Sequence, residues 1–441
     1  MKTKFGMVAL LALGALAAGA AEWTVSDVRA RQRRPWDGTV DIDFHARGAG
    51  CCTFGLVVSN GNEAVSVSAA SLVGGEAVAL GEGYVRLTWD PTVDHPGEAF
   101  PKARYYPVAK PCDAPPYLVV DLETGAKTFR GLDFANEVNA DAYKLHKLAL
   151  RYVPATTSDT WKAMSGGDDF FYMGLEDGFT STDNSTGVEA PSRSKPRHPV
   201  RLTRGYYLGV FEVTQQQWRD LWGSWKGWYT QPDDRPTRPI ESVGMTEVRG
   251  SNGAGFNWPD DGHAVHGNTF LGCLRYRTGL AFDLPTEAQW EFACRAGTTG
   301  IRYASDAKAI SRYWNNWSNM GYTTEQLTNE AYRAEIRAAG GATAKVGSYA
   351  PNAWGFYDML GNVQEFCLDA SMASDASVKY ASGLQTDPTG PSYSDPWRIV
   401  RGGCWWEYAK RSTAVYRELD GWKARATTGL RVCLDAGEVV K

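Results

Sequence analysis

The chain is short of the features that mark several functional classes. Its formal net charge is only −4 across 441 residues, so there is no basic field to gather nucleic acid or an anionic membrane surface. It has 6 His, and none forms an HxxxH pair. There is no CxxC pair, no Cys/His cluster of zinc spacing, no GxSxG elbow and no nucleotide-binding loop. No fixed-period repeat runs along it. After the apolar run Val8 to Ala18 no second long apolar stretch follows, so a membrane-spanning helix is not expected.

What is present is length, aromatic rings and cysteine. The length exceeds one ordinary core and suits two or three domains. Of the 17 Trp, 14 lie from Trp161 onward, which suits a loop-rich domain built around a few large rings. Lys2 and Lys4 precede the apolar run, and Ala18-Gly19-Ala20 is a small-residue cleavage pattern. Residues 1–21 therefore read as a signal peptide and the rest as a secreted or periplasmic protein. All 8 Cys fall in the mature part, where an even count favours disulfides. Cys51 and Cys52 are adjacent. A bond between them would be strained, so a bridge from one of them to Cys112 is expected.

Residues 22–147 show short alternating runs, such as Val40, Ile42 and Phe44 against Asp41 and Asp43. Further runs are Phe54 to Val58, Val65 to Leu72, Tyr84 to Trp89 and Tyr117 to Leu122, separated by Gly, Asn, Asp and Pro. This predicts an all-β sandwich of roughly immunoglobulin size. Arg29, Arg31, Arg33 and Arg34 read as a solvated strand face. Residues 148–441 have another texture, mostly loop with two modest helices. Thr214 caps one over Gln215 to Leu221. Thr286 caps the other, with Ala288, Trp290, Phe292 and Ala293 able to pack inward.

Several landmarks of this second part share one pattern. They are Tyr172-Met173-Gly174, Gly205 to Thr214, Leu284-Pro285-Thr286-Glu287-Ala288-Gln289-Trp290-Glu291, Asn352 to Asp358, Gly361-Asn362-Val363-Gln364-Glu365, Arg401-Gly402-Gly403-Cys404-Trp405-Trp406 and Gly429-Leu430-Arg431-Val432. Together they resemble the formylglycine-generating enzymes, or sulfatase-modifying factors, over about Leu148 to Leu434. The resemblance implies an α+β, loop-rich, C-type-lectin-like domain behind the β-sandwich. Leu87-Thr88-Trp89-Asp90 and Asp94-His95-Pro96-Gly97 resemble modules found ahead of such domains in exported bacterial proteins.

The resemblance also implies chemistry. The enzymes oxidise a sulfatase cysteine with O₂ and a Cu(I) ion held by two thiolates, soft ligands suited to that ion. Here those two positions are Glu407 and Ser412, so copper is not expected. Cys404 stands where the enzymes have Ser. A calcium site maps to Asp358, Gly361, Val363 and Glu365, hard oxygen donors from one turn; the plain alternative is that both acids only cap the turn. A second calcium site matches at Asn315 and Asn316 but meets Ala338 to Gly341 where an acid belongs. Cys433 resembles a structural half-cystine, with Cys273 as its expected partner; Cys294 matches a second half-cystine whose usual partner is missing here, and Cys367 and Cys404 remain, to pair only if their strands are neighbours. His263 and His266, beside Asp260 and Asp261, have a spacing that can ligate metal, but read more simply as a polar loop.

Two functions follow. One is a non-oxidising binding or structural module, using a cleft of Trp405, Trp406, Glu407, Tyr408 and Arg411 for a protein, peptide or glycan. The other is a metal-dependent oxidoreductase of the formylglycine-generating type with an altered site.

Overall fold

The computed structural model describes residues 23–33, 38–73, 75–176, 194–230, 233–250, 258–304, 342–370, 381–391, 397–407, 411–420 and 424–439. Tyr408, Asn315, Asn316 and Ala338 to Gly341 lie outside them, as does the signal-like segment.

Seven strands occupy the first 112 residues: β1 (Thr24–Gln32), β2 (Val40–Arg47), β3 (Cys51–Asn60), β4 (Glu63–Val65), β5 (Ala77–Ala79), β6 (Gly83–Trp89) and β7 (Ala103–Cys112). They form two sheets, β1-β2-β6 and one in which β3 pairs with β4, β5 and β7. Both face one cluster containing Ile42, Phe44, Phe54, Val58, Leu87 and Trp89. Alternation explains it: in β2, Val40, Ile42, Phe44 and Ala46 are all buried, because successive side chains point to opposite faces. The β3–β7 register sets Cys51 opposite Cys112, and these two form the disulfide. Cys52, one residue on, turns inward to the core as a free thiol.

Six strands follow: β8 (Tyr117–Asp121), β9 (Lys127–Arg130), β10 (Lys147–Val153), β11 (Phe171–Met173), β12 (His198–Arg201) and β13 (Tyr206–Gly209). The last six are β14 (Gln364–Ala370), β15 (Gln385–Thr386), β16 (Arg398–Arg401), β17 (Arg417–Asp420), β18 (Thr428–Gly429) and β19 (Cys433–Asp435). A five-stranded sheet runs β19-β13-β10-β8-β9. This corrects the boundary expected at residue 147. The run at Tyr117 pairs with β10 rather than with the N-terminal sheets, and Leu118 and Val120 join the core of the second part.

The five-stranded sheet separates two cores. Leu434, Tyr207, Leu148 and Leu150 face one; Cys433, Tyr206, Leu208 and Val153 face the other. Two further sheets, β17-β16-β14-β18 and β11-β12-β15, complete the second part.

Four helices of seven residues or more are described, two more than the pattern predicts. Asp159–Ser165 and Phe270–Thr278 are additional. Helix Gln215–Trp222 begins at a capping box between Thr214 and Gln217 and ends at Gly223, whose φ of 88° suits glycine. Its Trp218 stacks on Phe270 at 5.0 Å. Helix Glu287–Arg295 has a second capping box, between Thr286 and Gln289. It buries Ala288, Trp290, Phe292 and Ala293.

Candidate functional site

The helix Glu287–Arg295 carries an ionic network into the core. Glu287 and Glu291 stand one turn apart on a single helix face. Arg417 Nε donates to both oxygens of Glu287 at 2.9 and 3.0 Å, and Arg401 lies 3.5 Å from the same carboxylate. Glu291 accepts from Arg295 Nε at 2.9 Å and from Arg401. Burial alone would push Glu291 up, but Arg295 and Arg401 hold its carboxyl below the usual range. Arg401 begins the Arg-Gly-Gly segment, so this network fixes where the next residues go.

Those next residues form the loop that holds the two thiolate-equivalent positions. Glu407 pairs with Arg411 at 2.8 Å and approaches Gln364 Nε2 at 3.5 Å. Ser412 is buried, and its Oγ has no hydrogen-bond partner among the described residues. Cys404 is buried, and burial, then the Glu407 charge, pushes its thiol well above its ordinary range. Trp405 is part of a small core rather than an open wall: it is 3% exposed, stacks on Trp228 at 5.5 Å, and donates from Nε1 to the Ala426 carbonyl. Trp406 packs edge-on against it. Of the expected cleft, only Trp406, Glu407 and Arg411 are partly exposed among the described residues.

The turn from Asp358 to Glu365 lies beside this loop. Gly361 N donates to the Gly402 carbonyl, and Trp405 N to the Asn362 carbonyl. Asp358 and Asn362 both adopt left-handed backbone, at φ of 55° and 59°. Glu365 is saturated: Arg431 donates to both of its oxygens at 2.6 Å, and Trp290 Nε1 donates at 2.7 Å. Asp358 is not. Oδ2 accepts from Gly347 N at 2.6 Å, while Oδ1 is buried with no hydrogen-bond partner among the described residues. Glu212 is the member that the sequence reading missed. It accepts from Val363 N at 3.1 Å and Asn362 Nδ2 at 2.6 Å. Burial, then Asp358 and Glu365, pushes Glu212 well above the usual carboxylate range. Burial likewise raises Asp358 to about 6. The sequence signals for Glu212 were its place inside the Gly205 to Thr214 landmark and an acid in an otherwise apolar run, Val210 to Val213.

Other expected groups are placed elsewhere. Cys273 and Cys433 are free thiols, which corrects the expected bridge. They serve opposite cores: Cys273 packs on the Leu434 side, Cys433 on the Phe292 side. Cys367 and Cys404 are also free and buried. His263 Nδ1 pairs with Asp283 at 2.8 Å, and Asp283 is held by Arg249 as well. No group of three or more His, Cys, Asp or Glu among the described residues is arranged to hold a metal ion.

A loop-rich α+β domain with a buried Glu/Arg network behind an Arg-Gly-Gly segment defines a recognisable class. A family model, the sulfatase-modifying factor enzyme 1-like domain, matches residues 163–436. The chain belongs to that family. Among similar proteins is the serine/threonine-protein kinase pkn1 of Chlamydia pneumoniae, 29% identical over 224 residues, which are 49% of this chain and 30% of that protein. Another is the formylglycine-generating enzyme of Thermomonospora curvata, 28% identical over 179 residues, 39% of this chain and 56% of the enzyme. The chain thus spans about a third to just over half of the length of these two relatives. Among solved structures, Treponema denticola variable protein 1 aligns with a TM-score of 0.44 at 19% identity, covering 66% of this chain and 95% of that one.

Proposed function

We propose that this protein is an exported, non-oxidising member of its family, a binding module that keeps the scaffold and has given up copper. One observation carries this reading. The two thiolate-equivalent positions hold a carboxylate already paired with Arg411 and a buried hydroxyl. Neither is a soft donor for Cu(I). The neighbouring thiol, Cys404, is buried and its pKa is pushed up by burial and by the Glu407 charge, and one thiol does not make the two-thiolate pair that Cu(I) favours. The residues present therefore do not fit copper. The ligand is a protein, peptide or glycan taken at the Trp406, Glu407 and Arg411 surface. The N-terminal pair of sheets serves as a separate β-sandwich module that spaces or adheres.

The same reading assigns a calcium ion to the Asp358 turn. Asp358 Oδ1 is a buried oxygen with no hydrogen-bond partner among the described residues, and a hard cation is what such an oxygen accepts. Asp358, with backbone carbonyls of Gly361 and Val363, would hold it. Glu365, tied to Arg431, would act by charge rather than as a free ligand. Bound calcium would neutralise the buried acids and brace the turn under the 402–407 loop.

The test is peptide conversion followed by mass spectrometry. Reduced protein, supplied with copper and O₂, is incubated with a Cys-x-Pro-x-Arg peptide. The expected outcome is an unchanged peptide. Appearance of the aldehyde would establish the oxidase instead.

A further inference from the structure

A second cavity lies away from the copper-equivalent loop, with a volume of about 400 Å³. Its floor is Glu287, Asp369 and Arg417, and its rim includes Gln385, Thr386 and Gly390. Asp369 is only 4% exposed. Its Oδ2 accepts from Glu287 N at 2.6 Å. Its Oδ1 takes no hydrogen bond from another described residue, and no described Lys, Arg or His forms an ion pair with Asp369. Arg417 lies near, but its Nε donates to both oxygens of Glu287. On the facing wall Gly390 lies close against Asp369: a Cβ there would stand 3.0 Å from Asp369 Cβ and 3.2 Å from Oδ1, so a side chain at this position would crowd the carboxyl.

A buried carboxylate with no ion-pair partner of its own, only the more distant Arg417 charge, is costly. A ligand that brings the missing cation gains charge-assisted hydrogen bonds in a desolvated site. We propose that this cavity binds an organic cation, an alkylammonium or guanidinium group seated on Asp369. An inorganic divalent ion suits it less, since Glu287 has both oxygens occupied. Gln385 and Thr386 offer side-chain amide and hydroxyl groups at the rim. Asp369 is raised to about 7 by burial and by Glu287, which outweigh the Arg417 charge and the backbone N–H groups that act the other way. The proposal does not depend on whether the protein oxidises peptides.

Isothermal titration of the intact protein tests it with four probes. They are Nα-acetyl-lysine methylamide, 1,4-diaminobutane, methylguanidinium and the neutral Nα-acetyl-norleucine methylamide. At least one cation is expected to bind while the norleucine amide does not. Tighter binding of the lysine amide than of the diamine assigns a basic side chain of a peptide; the reverse order assigns a free amine. Asp369→Asn keeps an acceptor for Glu287 N and removes the charge, so affinity should fall about tenfold or more. Thr386→Lys, at an exposed rim position, places a competing ammonium at the mouth and should abolish binding while melting is unchanged. Binding of the neutral amide as tightly as the lysine amide, no binding of any cation, or full affinity in Asp369→Asn would each overturn the proposal.

Discussion

Two buried ionic clusters sit in this fold, and their charge balance differs. Around helix Glu287–Arg295, two acids, Glu287 and Glu291, meet three arginines, Arg295, Arg401 and Arg417, all under 10% exposed. Around the Asp358 turn, three acids, Glu212, Asp358 and Glu365, meet Arg431. In the first, Glu291 is held below its ordinary range. In the second, Glu212 and Asp358 are pushed above it. The lesson is one of roles. A balanced cluster is a finished piece of scaffold, whereas an acid excess calls for a proton or a cation from outside. Asp369 borders the first cluster and feels Arg417 only in part, so its carboxyl stays raised, as in the second kind.

The comparison can be broken most severely at Arg401. Arg401→Met leaves Glu287 and Glu291 short of a partner in the core. Removing one side of a buried pair typically costs about 3–5 kcal/mol, and chemical denaturation should show a loss of that order. Unchanged stability would mean the network is not scaffold.

Asp369 gives the next effect, in pH. Its carboxyl is raised from 3.8 to about 7 in the fold, so between those values the native state binds more protons than the unfolded one. Its contribution is fully present below pH 3.8 and is lost as pH rises towards 7, by up to about 4 kcal/mol. The difference between native protein and Asp369→Asn across this window isolates it. A difference independent of pH would contradict the assignment.

Calcium sharpens the other side. At a hundredfold excess over its Kd, calcium should stabilise the native protein by about 2.7 kcal/mol. Asp358→Asn should lose that response. An equal calcium shift in both proteins would remove Asp358 from the site. The smallest effect is expected at Glu407. Its pair with Arg411 is partly exposed, at 15% and 32%, and such pairs contribute about 1 kcal/mol or less. Glu407→Gln should therefore melt almost as the native chain does.

Local chemistry was legible in the sequence; partnership across the chain was not. Thr214 and Thr286 announced their helices because a capping residue acts within three positions. The Cys51 or Cys52 bridge to Cys112 was readable as a pair of alternatives, and only the β3–β7 register chose Cys51. The run at Tyr117 was correctly a strand but placed in the wrong sheet, since alternation shows which face is buried and not which strand pairs. The Cys273 to Cys433 bridge failed because Cys273, on helix Phe270–Thr278, packs on one core while Cys433 in β19 faces the other. Helix Phe270–Thr278 was missed because apolar residues at 270, 271 and 274 sit among Gly272, Arg275 and Arg277, which blur its period. Glu365 was found as a motif residue, yet its engagement by Arg431 and Trp290 depends on residues 66 and 75 positions away.

The most direct measurement of the central claim is copper(I) stoichiometry by competition with a chromophoric chelator. It is made on the native protein and on Glu407→Cys/Ser412→Cys. The native chain should hold no copper, and the double variant should gain one tightly bound ion per chain on the retained scaffold. One copper held by the native protein would contradict the account.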